Sequence, residues 1–355
     1  MQQMHKGRGA TLNPPGRFER HAVALADDGW GTLAELLAEA GPRTEVRPDR
    51  TASLITYNQS PDIGFNASIN PYRGCEHGCI YCYARPYHAF LGLSSGLDFE
   101  TRIFAKEDAA ALLRRELARP GYVARPIALG AATDPYQPVE RRLGITRSIL
   151  EVLLEARHPV GIVTKSAGVV RDLDLLQALA AHGLVRVQIS VTTLDGELAR
   201  RLEPRCPTVS VRLAAVRRLA EAGVPAGVNM APVIPGLNDQ EIERIAEAAA
   251  AAGADLLFWT MVRLPHEVKE LFQAWLETHC PDRAARVLSL IRQARGGRLN
   301  DPQFGSRMRG EGPLARLIGD RFRLARQRHG LQHRRTPLRT DLFRPPAPDG
   351  QLSLF

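Results

Sequence analysis

The chain has 355 residues, 44% of them apolar and 24% charged, with a formal net charge of +9. This is the balance of an ordinary globular protein, long enough for one large domain with extensions or for two. No run approaches the ~18 apolar residues of a membrane span, residues 1–9 lack the apolar core of a signal peptide, and five cysteines, three of them clustered, do not make a disulfide framework. A cytoplasmic protein in a reducing compartment, with no membrane partner, is therefore expected.

In chain order, residues 1–60 read as an N-terminal arm, rich in Gly, Pro, Arg and Asp, with one short helical candidate at Gly31–Ala40. From Asn66 the pattern becomes regular. Short β-branched runs at Asn66–Pro71, Pro126–Thr133, Val160–Ser166, Val185–Thr193, Pro225–Ile234 and Asp255–Val262 predict strands. Between them, apolar residues recurring every three or four positions predict helices at Lys106–Arg119, Ile145–Ala156, Arg171–His182, Val209–Ala222 and Asp239–Ala252, with another at His266–Thr278. Gly183, Gly223 and Gly253 each follow an Ala-rich run, where a helix C-terminus calls for positive φ. Asn238-Asp239 followed by Glu241 reads as a helix N-terminus.

Strands alternating with helices in this way imply parallel strands with crossover helices, an α/β architecture. The count suits an open partial (β/α)6 barrel over residues 61–280, because the sequence after Cys280 does not offer the two further units of a closed eightfold barrel. Residues 281–335 form a helical extension, with helices predicted at Asp282–Arg295 and Pro313–His329, and residues 336–355 a tail expected to be flexible. The positive charge belongs to this end of the chain. Between Arg292 and Arg344 there are 14 arginines, no lysine and four acids, an arginine-rich surface suited to phosphate contacts.

The loop after the first strand, Asn70–Pro86, holds Cys75, Cys79 and Cys82 in the spacing Cys-x3-Cys-x2-Cys, with Tyr81 before the last thiol. Functional groups of such barrels gather at the C-terminal ends of the strands, where this loop lies. Three thiolates bind soft or borderline metals, and a short loop gathers them at little entropic cost. A structural zinc site would need a fourth ligand, from His77, His88 or Cys206. A [4Fe-4S] cluster held by three cysteines leaves one iron open to a small molecule.

The loop in this setting resembles the radical S-adenosylmethionine (SAM) superfamily, and the resemblance runs from about Ser60 to Gly330. The Tyr81-Cys82-Tyr83 triplet, Thr133-Asp134 and Thr164-Lys165-Ser166 are most similar to its spore photoproduct lyase branch. The resemblance implies a [4Fe-4S] cluster on Cys75, Cys79 and Cys82, its open iron chelated by S-adenosyl-L-methionine. It implies reductive cleavage of that cofactor to a 5′-deoxyadenosyl radical, and an electron donor such as flavodoxin or ferredoxin. By the same resemblance Tyr81 lies by the adenine, where the plainer reading is a loop residue packing on the first helix. Tyr83 matches a tyrosine associated with radical transfer.

Thr133 and Asp134 match polar contacts to the cofactor, although Asp before Pro is also a common turn initiator. Lys165 matches a lysine that meets the cofactor carboxylate. Ser190 could bind the ribose or amino group, or else cap the following turn. Arg205 or Arg212 could clamp a carboxylate, or be solvated helix-cap charges. The fifth strand runs into Ala231–Asp239, which resembles the apolar segment backing the adenine. One departure stands out. Photoproduct lyases carry a hydrogen-donating cysteine just upstream of the aspartate, and this chain has Ala131 and Ala132 there.

The expected function is radical chemistry on nucleic acid, with DNA favoured, in repair or modification, the arginine-rich segment delivering the enzyme. The alternatives are a radical enzyme acting on RNA or on a protein, and a non-catalytic zinc-bound nucleic-acid module. The C-terminal Gln351-Leu-Ser-Leu-Phe355 resembles the bacterial sliding-clamp-binding motif, apolar anchors on a tether, and suggests a clamp as a further partner.

Overall fold

A computed structural model describes residues 5–18, 43–331 and 337–347. The helical candidate at Gly31–Ala40 and the clamp-like Gln351–Phe355 lie outside the described residues. Ten strands are described: β1 (Glu45–Pro48), β2 (Ile55–Tyr57), β3 (Ala67–Ile69), β4 (Tyr72–Arg73), β5 (Arg102–Ala105), β6 (Ile127–Leu129), β7 (Val160–Thr164), β8 (Val185–Ser190), β9 (Ala226–Val233) and β10 (Leu256–Met261). The main helices are α1 (Ala109–Leu117), α2 (Ile145–Glu155), α3 (Leu173–Ala180), α4 (Gly196–Leu202), α5 (Val209–Glu221), α6 (Ile242–Ala251), α7 (Val268–His279), α8 (Pro281–Gln293) and α9 (Gly312–His329).

The main sheet runs in the order β10-β9-β8-β7-β6-β3-β2. The six predicted strands are β3 and β6 to β10, mutually parallel and in chain order; β2 adds an antiparallel edge. Sequential parallel order with a helix in each crossover is the α/β open-barrel arrangement, and no described pairing joins β10 to β2. Alternation along the strands sorts the side chains. Val185, Val187 and Ile189 of β8 and Val228 and Met230 of β9 enter the core under the helices. Arg186, Gln188, Ser190, Gly227 and Asn229 therefore face the other, polar side of the sheet. Ile145, Ile149, Leu153 and Ala156 show the three-to-four spacing by which a helix buries one stripe against that core.

Several expectations need correction. The second predicted strand ends at Leu129, because Gly130 turns at φ 91° under Val163, whose carbonyl leaves no room for a Cβ. Ala131–Thr133 thus become loop. The helix expected from Asp239 begins at Ile242 after a short 3-10 turn, since Asn238 donates to the carbonyls of Thr192 and Pro232 (2.8 and 3.0 Å) and does not cap it. A small second sheet, in the order β1-β5-β4, was not expected; its strands are too short to show periodicity.

The helical extension joins the same core. Ala315, Ile318, Phe322 and Ala325 of α9 are buried, Phe322 stacks on Trp259 of β10 at 4.9 Å, and Arg321 pairs with Glu243 of α6. Residues 337–347 of the tail are docked rather than loose. Arg339 donates its N–H to Gly183, Arg344 donates to Ala156, and Phe343 packs between Tyr122 and His158. These contacts lie at the N-terminal ends of β7 and β8, opposite the cysteine loop. No helix among the described residues is long and apolar enough to cross a membrane.

Candidate metal-cluster and cofactor site

The cysteine loop is shaped by two glycines and held by one arginine. Gly74 (φ 77°) and Gly78 (φ 67°) take conformations that other residues rarely adopt. A Cβ on Gly78 would lie 2.7 Å from a Glu100 oxygen. Arg85 is fully buried and donates to the carbonyls of Gly78 (3.0 Å), Cys79 (2.9 Å), Ser95 (3.2 Å) and Gly96 (2.9 Å) and to the Glu100 carboxylate (2.5 Å). Glu100 accepts in addition from the N–H groups of Gly9 and Ala10 (2.9 and 2.8 Å), so the described part of the arm lies directly on the loop. Gln137 holds the other side, accepting from Glu76 N–H and donating to the Gly74 carbonyl (2.9 and 3.2 Å). Apart from the Arg85–Glu100 ion pair, these contacts satisfy backbone groups of the loop and of the segments packed on it.

All five cysteines are free thiols; Cys75 and Cys79 are buried and Cys82 is half-buried. Burial pushes Cys82 up to about 12. A hydrogen bond from the Cys206 thiol, opposed by burial and aided by the Lys165 charge, draws Cys79 down to about 7. Cys206, one of the three residues considered as a fourth ligand, thus lies beside the loop, against Cys79.

The donor set discriminates between a closed ion site and a cluster. Among the described residues, no three His, Cys, Asp or Glu side chains converge where one ion would sit. His88 bonds the Arg102 carbonyl at 3.0 Å, and burial holds it near 4. His77 is fully buried, which lowers its affinity for a proton, yet the Asp134 carboxylate 3.2 Å away raises it to about 10; a protonated imidazole is no ligand. Three thiols that each ligate a different iron of a cluster need no common point. The residues fit a three-cysteine cluster better than a tetrahedral zinc.

The strand ends carry the other predicted residues. Tyr81 is buried and donates to the Glu203 carboxylate, with the Lys165 ammonium 5.7 Å from its ring centre. Tyr83 is 42% exposed; its hydroxyl donates to the Ala131 carbonyl and the Arg263 guanidinium lies 5.5 Å over its ring. Thr133 donates its hydroxyl to the Tyr72 carbonyl at 3.1 Å. Asp134 accepts from Thr164 Oγ1 (2.6 Å), Lys165 N–H (2.7 Å) and Tyr136 N–H (2.9 Å), besides pairing with His77. It joins β6, β7 and the cysteine loop, and its acceptor sites are taken.

The Lys165 ammonium, by contrast, makes no hydrogen bond or ion pair among the described residues, although its backbone N–H is held by Asp134. Burial lowers its affinity for a proton, but Cys79 and Glu203 outweigh that and raise it, so the ammonium stays charged. Ser190 is buried beside it, and its carbonyl accepts from Arg212 at 3.2 Å.

Neither candidate clamp arginine is at liberty. Arg205 pairs with Glu76 at 3.1 Å, and Arg212 is buried against Glu203 at 2.5 Å. The arginine at the mouth of the site is Arg263, just beyond β10, whose buried Nε has no hydrogen-bond partner among the described residues. Nothing in the sequence pattern distinguished it from its many neighbours.

The family model of the radical SAM superfamily matches residues 69–249, half of the chain, from the end of β3 into α6. The chain belongs to the radical SAM superfamily. It is an enzyme of that superfamily with the superfamily's α/β fold. Among its relatives, an uncharacterized protein of Mycobacterium tuberculosis is 36% identical over 233 residues, 65% of this chain and 68% of that one. One of Methanocaldococcus jannaschii is 29% identical over 173 residues, 49% of this chain and 62% of that one. A solved structure of spore photoproduct lyase complexed with dinucleoside spore photoproduct aligns with a TM-score of 0.57 at 18% identity, over 80% of this chain and 78% of that one. That likeness is one of fold. Radical SAM proteins typically bind a [4Fe-4S] cluster and SAM, and Cys75, Cys79 and Cys82 are the residues here that would hold the cluster.

Proposed function

We propose that the enzyme cleaves SAM at a [4Fe-4S] cluster and directs the chemistry at nucleic acid, DNA in the first place, for repair or modification. The bound cluster and cofactor would supply the electron and the 5′-deoxyadenosyl radical. The protein's part is to bind, orient and exclude water. Lys165 offers a charged donor to the cofactor carboxylate, and Ser190 a hydroxyl beside it. Tyr81, fixed through Glu203, forms an apolar wall, and Asp134 locks the strand ends that carry these groups. Tyr83 stands at the mouth, where a phenol could pass a hydrogen between buried site and substrate.

The observation that carries the nucleic-acid reading is a set of exposed aromatic rings interleaved with arginine, beginning with Tyr83 and Arg263 at that mouth; Arg17 and Arg307 of the set also pair with Glu267 and Asp62. Tyr83, Tyr87, Phe90 and Phe304 are 42%, 55%, 67% and 59% exposed. Arg263 lies over Tyr83, Arg17 is 5.9 Å from Phe90, and Arg307 is 4.5 Å from Phe304. Aromatic platforms beside cationic groups suit unstacked bases and their phosphates.

The test is anaerobic reconstitution. Brown protein containing iron and sulfide should release 5′-deoxyadenosine from SAM, and Cys79→Ala should abolish the release. DNA should raise the rate more than RNA or peptides do. Stimulation by RNA or a protein alone would redirect the substrate, whereas a colourless protein with stoichiometric zinc would refute the enzymatic reading.

A further inference from the structure

A second cavity, lined by no residue of the cysteine loop, lies at the free edge of the main sheet. A groove of about 700 Å³ runs between β10 and α9, lined by Trp259, Arg309, Arg323, Arg326, Gln327 and Leu331 among others, and none of its lining residues is acidic. Arg326 is the unusual member. It is 7% exposed, its Nε donates to the Phe322 carbonyl one turn earlier (3.1 Å), and its buried Nη1 has no hydrogen-bond partner among the described residues. Arg309 comes from the opposite wall, 4.3 Å over the Trp259 ring, and donates to the Trp259 carbonyl at 2.6 Å. Burial, then the nearby Arg326 charge, brings Arg309 down to about 10.

Arg326 is buried and Arg309 half-buried, and two such guanidinium groups facing one cavity that no carboxylate lines among the described residues are costly unless an anion completes them. We propose that this groove binds a phosphate group presented by a nucleic-acid strand, with Arg326 and Arg309 as its inner donors and Arg323 at the rim. The proposal rests on the nucleic-acid reading above and adds a place to it. Several guanidinium forks suit a phosphate, whose oxygens accept from more than one side. Gly319 and Gly330 leave the wall bare enough for a sugar–phosphate backbone to approach, and the groove is larger than one phosphate requires.

The test is fluorescence anisotropy of a labelled oligonucleotide on the reconstituted full chain, with salt titration. Arg326→Met should weaken binding about tenfold and make the slope of log affinity against log salt shallower by about one. Its thermal midpoint should equal or exceed that of wild type, because an unpaired buried charge has been removed; a purely structural arginine would give the opposite sign. Arg323→Gln, on an exposed side chain, should weaken binding less. Wild-type affinity in Arg326→Met would overturn the groove while leaving the nucleic-acid reading in place. Failure of the wild-type chain to bind any oligonucleotide would overturn both. Binding of a free mononucleotide alone, lost in Arg326→Met, would overturn the strand as the source of the phosphate.

Discussion

Asp134 and Lys165 are neighbours at the ends of β6 and β7, and the fold uses them in opposite ways. The carboxylate is saturated by three donors and an imidazolium, whereas the ammonium has none of these contacts. Saturation makes Asp134 an organiser and leaves Lys165 as the charged group at these strand ends still able to meet a ligand. Cys206 is the other residue whose role depends on its surroundings. Its thiol touches Cys79, the position from which a fourth ligand would complete a zinc site. Because a cluster on three cysteines does not require it, Cys206→Ala should keep its iron and sulfide after reconstitution, while Cys79→Ala loses them. Metal analysis of the two variants side by side decides; loss of metal from both would favour the closed site.

At the scale of elements, the cysteine loop depends on a buried ion pair more than on its own backbone. Arg85 and Glu100 are both fully buried, and between them they tie the loop, the helix at Leu97–Thr101 and the arm. Replacing both by apolar residues could be nearly neutral, but removing one leaves a buried charge, at about 3–5 kcal/mol. Arg85→Ala should therefore lower the unfolding free energy by roughly that amount. Iron retained per chain should fall with it, since four carbonyls around Cys79 lose their donor. Denaturant unfolding and iron analysis read the two effects separately.

Over the whole molecule, one face of the sheet is covered by helices and the tail closes the end opposite the site. His158 sits beneath that tail, bonded to Tyr122 at 2.9 Å and flanked by Phe343, and burial depresses it to about 4. The unfolded chain takes up the proton near pH 6.5 and the folded chain only near pH 4. The stability that neutral His158 contributes is thus complete above pH 6.5 and drains away as pH falls towards 4, by up to about 3 kcal/mol. Urea unfolding at pH 7.5 and pH 5 should show that decline, and His158→Gln should reduce it, leaving the part that His88, also held near 4 by burial, contributes over the same range. An unchanged pH slope in the variant would refute the assignment.

The strand order, the helix stripes and the grouping of three cysteines were legible in the sequence because each is a local signal: short β-branched runs, a period of three to four, a fixed spacing of thiols. Gly183, Gly223 and Gly253 do end their helices at positive φ, as their position after Ala-rich runs implied. What a polar side chain at a strand end does is not local. It is set by which donors and acceptors arrive from elsewhere in the chain, and only the tertiary structure brings them there. That is how Thr133, Asp134, Arg205 and Arg212 came to be engaged by the fold, how Arg85 and Arg263 entered the site unannounced, and why arginines of one basic stretch divide between surface and interior. The sequence by itself determined that three thiols gather in the loop at the top of β3. Long-range packing decided which charges remain available around it.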